Sequence, residues 1–301
     1  GSYQSWVSFL ETAGRLYKYP YNEQLMIHAQ RPDATACADF DFWNQQWGRY
    51  VRRGSKGITL LDTSGDNLRL RYVFDVSDTG TRENSRDVRL WQLNEEHYDT
   101  ISSMLERTYN VIENNGLRDQ IERVASQLAD DYWNESSQDI IDNIAGSYLE
   151  EYDNYNIGVQ FRNAASVSIT YAIMSRCGLE PDVYYQHEDF LSVFDFNTPA
   201  TVAALGTAVS EINQQVLRQI EVTIRSYERE HSAERTENHE RIDLHTERRL
   251  SDSGSEPERD GTGGSRVSGR GLSPLRHRED GRGREALCRR FPAECNDCKG
   301  F

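Results

Sequence analysis

Long apolar runs are missing from this 301-residue chain. None approaches the roughly 18 residues that a membrane helix needs, so no membrane association is expected. The first ten residues, GSYQSWVSFL, have no basic start followed by an apolar block, which argues against a secretory signal. Cysteine is scarce and odd in number: five, with Cys37 and Cys177 isolated. That excludes a disulfide framework and fits a reducing cytoplasm. Also missing are a phosphate loop of the G-x-x-x-x-G-K-[ST] type, a G-x-S-x-G elbow and a Cys/His nucleophile pair. The chain is therefore expected to have no catalytic residues and no cofactor.

Positive charge is also in short supply, and it is unevenly placed. The net charge is -15, yet residues 1–61 carry 7 basic and 5 acidic side chains, against 13 and 30 over 62–230. Any field that attracts phosphate is local to the first segment. Its focus is GRYVRRGSKG, where Arg49, Arg52, Arg53 and Lys56 sit within ten residues with no acid among them.

Hydrophobic periodicity predicts an α+β protein. Residues 3–19 read as an amphipathic helix stopped by Pro20. A second helix is expected from a cap at Asn22, presenting Leu25, Met26 and Ala29 to a core, and a third from Asp39. RYVRRGSKGITLLD reads as two β-runs joined as a hairpin by Gly54-Ser55-Lys56-Gly57. LRLRYVFDV alternates Leu68, Leu70, Tyr72 and Phe74 with Arg69, Arg71 and Val73, the pattern of a half-buried strand. From about 94 the pattern is helical. Gly178 is expected to cap one helix, and Thr198-Pro199 to open the last. After about 231 the apolar pattern collapses into Gly, Ser, Arg, Glu and Pro, a composition that buries too little surface to fold. Three parts follow: a small helical and β-hairpin domain over 1–92, an acidic all-helical domain over 93–230, and a disordered tail over 231–301.

Single-stranded nucleic acid is held by cations that track phosphates and by aromatic faces on which bases stack. The hairpin offers the first in Arg49, Arg52, Arg53 and Lys56, and the second in Trp43 or Tyr50. Gly54 and Gly57 let a backbone approach closely. The alternative is a solvated turn over aromatics that belong to a core.

The residue order says more than the composition. Tyr21-Asn22, then Leu25 and Ile27 ahead of Gln30, Pro32, Ala34 and Thr35, then Phe40 and Trp43, lead into Gly48, Arg49, Val51, Gly54, Lys56, Gly57 and Ile58. This pattern, over about residues 3–90, resembles the N-terminal domain of the ArdC-type antirestriction family. The resemblance implies a single-stranded-DNA-binding domain, carried by conjugative plasmids and other mobile elements, that protects incoming DNA from restriction. Such domains often form the front of large helicase- or methyltransferase-containing proteins.

In that family the second domain is typically a zincin-like metallopeptidase, which needs H-E-x-x-H on a helix. Here His239-Glu240 is followed by Asp243 where the second histidine would stand. The segment FRNAASVSITYAIMSRCGL resembles the helix after the zincin active site, but offers Asn163 and Ser166 where the family usually has an acidic ligand. A degenerate, metal-free zincin relic is the expectation. Cys288, Cys295 and Cys298 with His277 could ligate zinc, although their spacing fits no common finger. Two other functions stay open. The acidic helical domain, with pairs such as Asp130-Asp131 and Glu150-Glu151, could bind a host restriction or CRISPR nuclease as a charge decoy. A metallopeptidase with unconventional ligands is the other.

Overall fold

The computed structural model describes residues 2–62 and 67–252, and side chains as far as Ser232. Residues Gly1–His231 form one compact unit. The fold is α+β, as expected.

Helix α1 (Tyr3–Arg15) starts at Ser2, whose Oγ accepts from Ser5 N, and buries Val7, Phe9, Leu10 and Ala13. Helix α2 (Tyr21–Gln30) begins one residue after Pro20. The expected cap at Asn22 therefore falls inside the helix, and the buried face is Tyr21, Gln24 and Ile27; Met26 packs partly buried against the core as expected, whereas Leu25 and Ala29 are exposed. Gln24 turns inward because its Nε2 donates to Leu16 O and Tyr19 O, closing the turn between the two helices. Helix α3 (Phe40–Gln45) is capped by Asp39, whose Oδ1 accepts from Phe42 N at 2.7 Å.

Two small antiparallel sheets follow. One has the order β1-β4-β3, with β1 Cys37–Asp39, β3 Ile58–Asp62 and β4 Arg69–Asp75; the other pairs β2 (Tyr50–Val51) with β5 (Thr79–Gly80). The expected hairpin across Gly54 to Gly57 is thus corrected. β2 and β3 do not pair with each other; they lie in different sheets, and 52–57 is a crossover. The edge of β3 is closed by Gln30, whose amide accepts from Thr59 N and donates to Thr59 O, both at 2.9 Å. At Thr59 that satisfies the pair of groups an edge strand would otherwise offer to another chain.

The alternation in β4 also needs correction. Val73 and Asp75 are the buried residues, while Leu68, Leu70 and Tyr72 are 66%, 58% and 51% exposed. Two polar interactions reverse the expected faces. Arg71 points inward to Glu23 at 2.6 Å, and Asp75 accepts from Thr35 N (2.7 Å), Ala36 N (2.9 Å) and Ser77 N (2.9 Å). Burial pushes the Asp75 carboxyl up, but these hydrogen bonds and that of Ser77 Oγ outweigh it and hold it below the usual carboxylate range.

The remainder is helical: α4 (Tyr98–Tyr109), α5 (Leu117–Ile141), α6 (Asn154–Cys177) and α7 (Pro199–Asp252). Gly178 at φ 72° ends α6, and Thr198 Oγ1 accepts from Thr201 N at the start of α7. The backbone stays helical to Asp252, past the expected end of order at 230. The rest of the expected disordered tail lies outside the described residues.

Among the described residues there are two buried apolar clusters. The smaller joins Leu16, Ile27, Ala34, Cys37, Ile58, Leu60 and Val73. The larger runs through α4 to α7 and takes in Phe9, Leu10 and Ala13 of α1. Trp6 Nε1 donates to Ser168 Oγ, and the Tyr17 hydroxyl donates to the Glu221 carboxylate, so α1 and Tyr17 belong to the larger cluster, while Leu16 between them enters the smaller. The packing does not divide at the expected 92/93 boundary.

Candidate nucleic-acid interface

The crossover from β2 to β3 carries the basic loop. Ser55 N donates to Arg52 O at 3.1 Å, which closes a four-residue turn with Arg53 and Gly54 at its centre. Gly54 has φ +90°, the conformation the third position of a type II turn requires. Gly57 serves a different need. A Cβ there would stand 3.1 Å from Tyr72 Cβ and 3.2 Å from Phe74 Cζ, so the absence of a side chain at 57 lets the loop lie close against the aromatic side of β4.

The loop is tied to the turn before β5. Arg52 N donates to Asp78 O and Arg52 Nη1 to Ser77 O, both at 2.9 Å. Asp75 orders that same turn through Ser77, and Arg31 pairs with Asp78. Arg49 is half-buried, and its Nε donates to Thr79 Oγ1 at 2.7 Å, joining β2 to β5. Arg53 and Lys56 are exposed and make no hydrogen bond or ion pair among the described residues. A shallow cleft beside the end of α2 is bordered by Gln30, Arg31, Arg52, Arg53, Lys56 and Asp78. Its single carboxylate is already taken by Arg31, which leaves a local positive surplus.

The expected aromatics divide. Trp43 is 0% exposed and its Nε1 donates to Phe74 O at 2.9 Å. It has no face for a base, and the stacking role expected for it is corrected: it is core. Tyr50 is 41% exposed, with the Arg82 guanidinium 5.6 Å from its ring centroid. The residue that composition alone did not single out is Tyr72. It is half exposed, it adjoins Gly57, and it shares a solvent face of the sheet with Leu70, with Thr59 and Leu61 opposite them on β3. The signal for it was present in LRLRYVFDV, whose tyrosine reads as buried only if Arg71 and Asp75 are assumed to face water.

The region expected to resemble a zincin helix is α6. Asn163 is exposed on it, and Ser166 Oγ is 2.7 Å from Ser126 Oγ. Among the described residues no three His, Cys, Asp or Glu side chains converge as metal ligands. The residues at this helix do not fit a zinc centre. His239, Glu240, Asp243, His277 and the three tail cysteines lie outside the described side chains. No helix of the described residues is long and apolar enough to cross a membrane.

Comparison with protein-family models, with curated proteins and with solved structures finds no match for this chain. The resemblance to the ArdC-type family therefore stands on its motif alone.

Proposed function

We propose that the chain binds single-stranded DNA through the 52–57 crossover and the outer face of β4, as an antirestriction or anti-defence protein of a mobile element with no catalytic step of its own. One observation carries this reading. An exposed aromatic, Tyr72, adjoins Gly57 at the end of a loop whose Arg53 and Lys56 have no carboxylate partner among the described residues. Cations beside a stacking face are the two elements that hold an unpaired strand. A duplex keeps its base faces stacked inside, so this arrangement favours the single strand. Arg52 and Arg53 border the cleft as phosphate contacts, Arg49 holds the loop's base in place, and Tyr72 and Tyr50 supply the ring faces. Titration of single-stranded and duplex oligonucleotides, with Tyr72→Ala beside the parent chain, tests the reading. Weaker single-strand binding by the variant supports it, and equal binding removes the β4 face from the site.

A second reading has an observation of its own. Tyr148, Tyr152 and Tyr155 are 63%, 39% and 76% exposed, among the exposed acids Glu150, Glu151 and Asp153. Tyrosines set in negative charge suit a protein partner with a basic surface, such as a host nuclease. Under this reading a Tyr148→Ala/Tyr155→Ala variant loses capture of a restriction or CRISPR nuclease and keeps its DNA affinity.

A further inference from the structure

A second cationic site lies away from the crossover, in a cavity of about 290 Å³ between the end of α1, the 90–92 segment, α6 and α7. Its walls carry Arg15, Lys18, Arg176 and Arg225, and no acid. In a chain of net charge -15, four cations around one half-open cavity need a physical reason. All four are partly buried, and charge withdrawn from water is ordinarily paired. Here the pairing is incomplete. Lys18 and Arg225 both lean on one carboxylate, Glu221, at 3.0 and 2.9 Å, and Tyr17 donates to it as well.

Arg15 and Arg176 have no carboxylate within ion-pair distance among the described residues. Arg15 spends Nε and Nη2 on Ala34 O, Pro32 O and Thr12 Oγ1. Arg176 spends one donor on Trp91 O at 3.0 Å and lies 3.5 Å from the centroid of the Trp91 ring. Among the described residues the remaining guanidinium donors of both are uncommitted. Burial pushes the pKa of both side chains down, which is the mark of charge held where water solvates it poorly. An anion in the cavity would complete both.

The rest of the wall is mixed: Leu16, Ala36 and Leu90 line it with the rings of Tyr17 and Trp91, and Thr35, Gln92 and Ser175 add polar groups. The size stands at the lower end of the range for small-molecule sites, far too small for a polymer. The surplus over Glu221 suits a dianion better than a monocarboxylate. We infer that this cavity binds a small organic phosphate, its phosphate held by Arg15 and Arg176 and its apolar or aromatic body against Leu16 and Leu90.

The inference is independent of the DNA reading, and one set of titrations separates them. Adenosine monophosphate, inorganic phosphate and adenosine are each added to the full chain, with Trp fluorescence and thermal unfolding as readouts. The monophosphate is expected to bind and raise Tm, inorganic phosphate to bind at least tenfold more weakly, and adenosine to give no change. Arg15→Gln/Arg176→Gln is expected to weaken the monophosphate at least tenfold. Leu90→Trp, at a lining position 40% exposed, adds bulk to the wall while keeping all four cations and is expected to do the same should the arginine variant fail to fold. Arg52→Ala/Arg53→Ala/Lys56→Ala should leave monophosphate binding unchanged. No response to the monophosphate, equal binding of adenosine or inorganic phosphate, or an undiminished response in Leu90→Trp would overturn the site.

Discussion

The Trp43 indole Nε1 donates to the carbonyl oxygen of Phe74 at 2.9 Å, and that bond fixes α3 against the central strand of the larger sheet. It also separates two aromatics that a sequence places on equal terms. Trp43 is wholly buried, whereas Tyr72, on the strand it anchors, is half in water.

Their substitutions should therefore part company. Trp43→Ala removes a fully buried ring and is expected to cost about 3–5 kcal/mol of stability. Tyr72→Ala should change stability by no more than about 0.5 kcal/mol. Its expected cost in single-strand affinity is about 1–3 kcal/mol, the worth of one base stack. Urea denaturation and oligonucleotide titration of both variants check the pair.

Gly54 holds φ +90° with nothing within 4 Å of where a Cβ would go. A substitution there meets no atom, only an unfavourable backbone. Gly54→Ala is expected to destabilise by about 1–2 kcal/mol. Loosening the turn that presents Arg53 should also weaken DNA binding. Equal stability would mean that the turn readily changes its conformation.

Asp75 gives the acid limb of stability. Its folded pKa is depressed, so its contribution is complete above the unfolded value of 3.8 and disappears as pH falls through the lower folded value. Glu221 shifts the same way: burial raises its pKa, but Tyr17, Lys18 and Arg225 lower it more. Tm should fall steeply as pH drops below about 4. Asp75→Asn should be less stable at neutral pH, because its amide cannot accept at both oxygens from the amides of Thr35, Ala36 and Ser77. Its loss of Tm between pH 5 and 3 should be shallower than the parent's, with Glu221 supplying the remainder.

What the sequence disclosed, and what it hid, follows from where the determining interactions lie. Caps are local, so Asp39, Gly178 and Thr198-Pro199 were readable and stand where expected. The interior of β4 was not readable. Its orientation is set by Glu23, by the amides of Thr35 and Ala36, and by Ser77, and three of those four are remote in sequence. The crossover reads as a hairpin in the sequence for the same reason. β2 has two residues and finds its partner at Thr79–Gly80, beyond the whole of β3 and β4. The four loop cations were legible from composition, and the ring that adjoins them was not, because it lay on a face assigned to the core.

The salt dependence of single-strand binding is the most direct test. Three phosphate contacts made by Arg52, Arg53 and Lys56 should contribute about 2 to the slope of log affinity against log salt, at about 0.7 per contact for a single strand. The parent chain is expected to prefer single-stranded over duplex oligonucleotide, and the triple alanine variant, still folded, to bind more weakly with its slope reduced by about that amount. An unaltered affinity and slope in the variant would contradict the proposal.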